Sequence, residues 1–247
     1  MKRLLYLLLA LSFCINFIGC RKAPNRGRIS NVPTTTTKEP ERKQTNRERK
    51  QRTIKRNDTP LTGSDIFKRY EEAVFMIFTS DGINNYQGSG FFIGNNGLAV
   101  SNYHVFKGTT IGKEHIKLAK DNENLYKVID IVYKSKEPDF IIFHVDYNNV
   151  NYIPIAKNKP CIGDKVFAIG SPRGLENTFS SGEISQWRGE NLMQISALID
   201  HGSSGGALIN EYGEAVGITS GSFADGSQAN LNYAWSIDAI KPFLHKH

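Results

Sequence analysis

The chain has 247 residues and a formal net charge of +7, but that charge is unevenly spread. Residues 21–60 carry a net charge of +9, Lys2 and Arg3 add two more, and residues 61–247 carry −4. A basic tether on a mildly acidic domain, with no basic helix, aromatic platform or zinc-ligand spacing, excludes a nucleic-acid module.

In chain order, Lys2 and Arg3 precede an apolar run from Leu4 to Ile18, which ends at Gly19-Cys20. The run falls short of the roughly 20 residues needed to span a bilayer and has the layout of a secretory signal over residues 1–20. Phe17-Ile18-Gly19-Cys20 resembles a bacterial lipobox, although Phe17 stands where Leu is usual. The resemblance implies cleavage before Cys20 and acylation of its thiol, a multi-chain anchor strong enough to hold a protein at a membrane. The expected localisation is therefore exported and lipid-anchored to the cell envelope, on its periplasmic face or cell surface; the alternative is simple secretion. Only Cys161 would then remain beside Cys20, and an acylated Cys20 leaves Cys161 to pack as a small residue with no intrachain bridge.

Residues 21–60 hold Thr34 to Thr37, scattered prolines, many Lys and Arg and almost no large apolar side chains. Such a segment has no core to build and reads as a basic disordered linker. It is either a solvated spacer or a strip that touches anionic headgroups and envelope polyanions.

Residues 61–247 are long enough to bury a core of their own. Thr62 with Asp65 forms a capping box for a short helix over 64–71. Short apolar runs bounded by Gly, Asn and Asp predict strands at 73–79, 89–93, 98–101, 115–119, 125–133 and 140–145. A second set falls at 165–169, 178–187, 191–196, 207–210, 214–220 and 230–235. Asn95-Asn96-Gly97 and Glu211-Tyr212-Gly213 are hairpin turns. Ser236 caps a closing helix that Pro242 disturbs.

Three segments carry the chemistry. Gly202-Ser203-Ser204-Gly205-Gly206 sets a serine among glycines just before an apolar strand. Glycines let the chain bend so that the hydroxyl stands clear and the N–H groups of Gly202 and Ser204 aim at one point, as an oxyanion hole requires. Ser101-Asn102-Tyr103-His104-Val105 offers a base, and Pro138-Asp139-Phe140 an acid. The order His104, Asp139, Ser204 is that of chymotrypsin-like enzymes. Gly202-x-Ser204-x-Gly206 also fits a nucleophile elbow of the α/β-hydrolase kind. That fold needs a helix after the serine and then an acid and a histidine, and here a strand follows.

The blocks Gly88-Ser89-Gly90-Phe91, Ser101-Asn102-Tyr103-His104-Val105, Ala168-Ile169-Gly170-Ser171-Pro172, Ser181-Gly182-Glu183-Ile184-Ser185 and Gly213-Glu214-Ala215-Val216-Gly217-Ile218 stand in this order along the chain. From about Ser64 to Leu244 they resemble a trypsin-like serine protease of the HtrA (Deg) type with no PDZ domain following. The resemblance implies an all-β fold of two packed antiparallel six-stranded barrels with short N- and C-terminal helices, the site lying in the cleft between them. It implies a serine endopeptidase acting on polypeptides in envelope quality control or processing, by an acyl-enzyme mechanism with no cofactor or metal. The alternative is a catalytically silent or ligand-gated envelope lipoprotein that binds proteins. It further implies Leu198 at the floor of the pocket for the substrate residue before the scissile bond (P1), and hence an apolar preference. Ser220, Gly221 and Ser222 would form the edge that pairs with an extended substrate. A homotrimer is an assembly the resemblance brings, although no segment argues it independently. Ser203 stands where zymogen-activated relatives carry an Asp, so activation by N-terminal trimming is not expected, and His201 replaces a usual Pro.

Overall fold

The computed structural model describes residues 59–244 apart from 111, 122, 149, 172–176 and 223–230. The expected signal at 1–20 and nearly all of the linker at 21–60 therefore lie outside the described residues.

A helix, α1 (Gly63–Tyr70), opens the domain. Thr62 takes the Asp65 N–H at its hydroxyl while the Asp65 carboxylate reaches back to Thr62, the expected capping box, an arrangement worth about 1 kcal/mol. Twelve strands follow: β1 (Val74–Ser80), β2 (Asn85–Phe92), β3 (Leu98–Ser101), β4 (His115–Leu118), β5 (Tyr126–Ser135), β6 (Phe140–Val145), β7 (Lys165–Gly170), β8 (Thr178–Arg188), β9 (Leu192–Ile195), β10 (Ala207–Asn210), β11 (Ala215–Ser222) and β12 (Asn232–Ser236). They close into two antiparallel barrels, in the order β1-β2-β3-β6-β5-β4 and β7-β8-β9-β12-β11-β10. Closure removes the exposed edges that a sheet of this size would otherwise present.

Alternation along the strands builds three cores rather than two. Phe75, Ile77, Phe92 and Phe143 point into the first barrel. Ala168, Ile184, Met193 and Leu208 fill the second. Their outward neighbours Val74, Phe91, Phe167, Ile169 and Ile209 meet in a third layer, roofed by Ile66 and Tyr70 of α1. A period of two residues thus gives each strand one face for its own barrel and one for the seam. The seam fixes one barrel against the other, and so fixes any site that draws on both.

The hairpin turns fall where the turn residues put them: Gly97 and Gly213 both adopt positive φ, at 83° and 79°. Two expectations need correcting. The closing helix is a pair of short 3₁₀ turns, Ile237–Ala239 capped by Ser236 and Lys241–Phe243 with Pro242 in its first turn. The proline, which has no N–H to continue a ladder, splits what the spacing suggests as one helix. Cys161 is disulfide-bonded rather than lacking a bridge.

Candidate active site

β3 and β6 are antiparallel neighbours with Ser101 opposite Ile141. That register brings the residues just after β3 beside those just before β6, although 35 positions separate them in sequence. After β3 the chain turns through a 3₁₀ segment, Tyr103–Phe106, in which Val105 and Phe106 are buried. Anchoring those two in the first barrel leaves the His104 side chain at the surface of the cleft, 45% exposed. Thr79 ties down the turn by donating its hydroxyl to the Val105 carbonyl at 3.0 Å.

Asp139 holds His104 at two points. Its Oδ2 lies 2.6 Å from His104 Nδ1, and its Oδ1 accepts the His104 backbone N–H at 2.9 Å. An ionised carboxylate only accepts, so Nδ1 carries the ring proton and Nε2 is left as the basic nitrogen. Asp139 is in turn held through its own carbonyl, which accepts from Asn102 Nδ2 at 2.8 Å. Asn102 is fully buried.

Ser204 comes from the second barrel, in the turn that leads into β10. Its carbonyl accepts the Ser89 N–H at 2.8 Å, a bond that crosses from one barrel to the other. The crossing is tight. A Cβ on Gly88 would lie 2.7 Å from Val105 and 3.2 Å from the Ser204 carbonyl oxygen. Ser204 and the His104 turn therefore flank the same glycine. Among the described residues no hydrogen bond joins Ser204 Oγ to His104; the serine is placed by its backbone.

The Ser204 amide is oriented by what holds the Ser203 carbonyl, its partner in the same peptide. A trans peptide points its C=O and N–H in opposite directions. The Ser203 carbonyl accepts from Thr219 Oγ1 at 2.7 Å and from the Gly206 N–H at 3.0 Å. The Ser204 N–H must therefore point the other way. Gly202 has a φ of 92° and its carbonyl accepts from Ser89 Oγ at 2.7 Å. Among the described residues neither the Gly202 nor the Ser204 amide donates to a protein acceptor. Two unpaired N–H groups beside one hydroxyl can receive a developing oxyanion.

A cavity of about 350 Å³ opens beside this turn, lined by Ala168, Ile169, Phe179, Leu198, Asp200 and Ser203 among others. Its body is apolar. Leu198 lines it but is 74% exposed, while Ala168 and Ile169 are buried apolar members of the lining. Asp200 is exposed and accepts the neighbouring His201 N–H at its Oδ1, 2.7 Å away. The edge segment lies where the serine is. β11 slips register between Thr219 and Gly221, leaving Ser220 out of the pairing with β12. A Cβ on Gly221 would sit 3.4 Å from Ser204 Oγ. Ser222 continues β11 as its last residue.

Sequence reasoning did not find the roles of Ser89, Ser101, Thr219 or Asn102, each buried with its side chain bonded to a backbone carbonyl of a site segment, or of buried Ser171, whose N–H donates to the Ser89 hydroxyl. Gly88-Ser89-Gly90 stands out only as a block. The signal that could have found Ser89 is a small polar residue set between two glycines on an otherwise apolar strand end.

Residues 88–218 match the family described as the Trypsin-like peptidase domain. The chain is 32% identical over 187 residues to the mitochondrial serine protease HTRA2 of Drosophila erecta, covering 70% of this chain and 42% of that protein. It is 31% identical over 184 residues to the HTRA2 of Drosophila virilis, with the same coverage. The chain thus spans less than half the length of the curated relatives it matches. A solved structure, the serine endoprotease from Yersinia pestis, superposes with a TM-score of 0.64 at 28% identity, covering 75% of this chain and 66% of that one.

Proposed function

This chain belongs to the trypsin-like peptidase family, and on that premise we propose that it is a serine endopeptidase whose working residues are His104, Asp139 and Ser204. The observation that carries the proposal is the two-point hold of Asp139 on His104, which leaves Nε2 basic. A serine hydroxyl is a weak nucleophile at neutral pH. As Ser204 Oγ attacks the scissile carbonyl carbon, His104 Nε2 takes its proton. The carbonyl π pair moves to oxygen, and the N–H groups of Gly202 and Ser204 stabilise that charge, each worth about 3–4 kcal/mol when lost. Collapse expels the amine, which takes the proton from Nε2 and leaves an acyl-enzyme; water then repeats the sequence and frees Ser204. Asp139 keeps the imidazole in one tautomer and steadies the imidazolium.

The substrates on this reading are extended polypeptides, paired along Ser220–Ser222, with a small or medium apolar P1 residue in the cavity lined by Leu198 and Ile169. We further propose that the protein is exported and anchored through a lipid on Cys20, where it processes or clears envelope proteins, the basic linker spacing the domain from the membrane. Cys20 cannot both carry lipid and pair with Cys161, so intact mass and tryptic mapping of the mature protein separate the two fates. The activity is tested with the full chain and unfolded β-casein as the probe. Cleavage that is lost in Ser204→Ala and in His104→Ala supports the proposal; cleavage that survives in Ser204→Ala overturns it.

A further inference from the structure

Ser89 is completely buried, yet each of its polar groups is spent on the site. Its N–H donates to the Ser204 carbonyl at 2.8 Å. Its carbonyl accepts from Ser101 Oγ at 2.7 Å. Its hydroxyl donates to the Gly202 carbonyl at 2.7 Å and accepts the Ser171 N–H at 2.9 Å. The residue stands on β2 of the first barrel, while Gly202, Ser204 and Ser171 belong to the second.

The hydroxyl matters most for Gly202. Glycine moves between left- and right-handed backbone conformations at little cost, so nothing intrinsic to Gly202 keeps φ at 92°. The Gly202 N–H belongs to the His201–Gly202 peptide, inside a turn that the Gly202–Ser203 peptide closes. The Gly202–Ser203 peptide is held at its N–H by the Asp200 carbonyl, 3.0 Å away, and at its C=O by Ser89 Oγ. Rotation about the Gly202 N–Cα bond would turn the Gly202 N–H out of the cleft. The Ser204 amide has separate support from Thr219 and Gly206. Loss of the Ser89 hydroxyl leaves that closing peptide held at its N–H alone, which loosens the turn carrying the Gly202 donor and spares the Ser204 amide.

We infer that Ser89 is a positioning residue: its hydroxyl latches the peptide that closes the Asp200–Ser203 turn and so steadies the Gly202 amide within that turn for the oxyanion. The inference rests on the serine-endopeptidase reading of the same site. It makes the first barrel a contributor to transition-state stabilisation as well as the source of His104 and Asp139. Ser171 completes the latch by donating to Ser89 Oγ, which orients the hydroxyl proton toward Gly202.

The test uses the full-length protein and its Ser89→Ala and Ser89→Cys variants with a fluorogenic peptide substrate, a peptide boronate and a fluorophosphonate probe. Active sites are counted by labelling to completion, so that misfolded molecules drop out of the rate. Ser89→Ala should lower kcat per labelled site by about 10–100-fold, a fraction of what losing a whole donor costs. KM should stay within about twofold, because ground-state binding does not use the oxyanion hole. Boronate affinity should fall in step with kcat/KM. Ser89→Cys keeps a weaker donor and should fall between the two. A purely structural role would reduce the number of labelled sites and leave kcat per site unchanged, and that result overturns the inference. If Ser89→Ala does not fold, Ser89→Cys decides by the same criterion. A wild-type protein that neither cleaves nor labels would instead strike at the endopeptidase reading itself.

Discussion

Asp139 grips His104 with both carboxylate oxygens, one on the ring Nδ1 at 2.6 Å and one on the backbone N–H at 2.9 Å. Two acceptors on one rigid group fix the imidazole plane as well as its tautomer. Asp139→Asn keeps the shape but puts an NH₂ where one acceptor was, so either the ring tautomer or the backbone bond must give. We expect kcat to fall by about 10³–10⁴-fold with little change in KM. Steady-state kinetics on a peptide substrate checks this; a loss below tenfold would detach Asp139 from the chemistry.

Gly205 is a position that only glycine fits. Its φ is 90°, and a Cβ there would lie 2.1 Å from the Ser89 carbonyl oxygen and 2.3 Å from Ser101 Oγ. Gly205→Ala should destabilise the domain by at least about 2 kcal/mol through strain and the forced separation of the barrels. Thermal unfolding of the variant, read beside its rate of fluorophosphonate labelling, should show both quantities reduced. A stable variant that labels at the wild-type rate would show that this approach is not needed.

Much of this architecture is legible in the amino-acid sequence itself. Alternation and turn residues locate the strands of both barrels because each strand feeds a buried layer on one or both faces. The Ser101–Val105 segment points to His104 through its resemblance to a protease block; the burial of Val105 and Phe106 then explains why the segment turns there. The polar start of β2, Asn85-Tyr86-Gln87, carries no such signal, because its pairing with β1 rests on backbone bonds and not on burial. The links from Ser89, Ser171 and Thr219 are equally hidden. A buried serine that bonds a carbonyl 113 residues away leaves no periodic trace. Pro242 is visible as a disturbance, but not as the division of one helix into two turns.

The cavity beside Ser203 makes a prediction about selectivity. Ala168, Ile169 and Phe179 line it, and Asp200, the acidic member of the lining, is exposed and bonded to its own neighbour. An apolar body without a buried charge gives a Lys or Arg side chain no compensation for lost hydration. Peptides with Val or Leu before the scissile bond should be cleaved at least about tenfold faster than those with Lys or Arg. A library that varies this one position measures it, and a basic preference would mean that Asp200 reaches inward.

Asp81, in the turn between β1 and β2, carries a separate pH signature. The N–H groups of Asn84 and Ile83, then the Tyr86 hydroxyl, hold its carboxyl well below the ordinary carboxylate value of 3.8. A depressed folded-state value stabilises the fold above the unfolded value and loses that contribution as pH falls through the folded one. Asp81→Asn should lower Tm by about 2 °C at pH 7, modest because the group is open to solvent. The gap between variant and wild type should narrow steadily as pH drops below about 4. A gap that does not change with pH would assign the effect to shape rather than charge.

Fluorophosphonate labelling of the full-length protein, with the adduct located by mass spectrometry, asks whether Ser204 is an activated nucleophile beside a formed oxyanion site. One adduct per chain is expected, on Ser204, with loss of fluoride, and no adduct in Ser204→Ala or His104→Ala. A folded wild-type protein that stays unlabelled, or one labelled at a different serine, would contradict it.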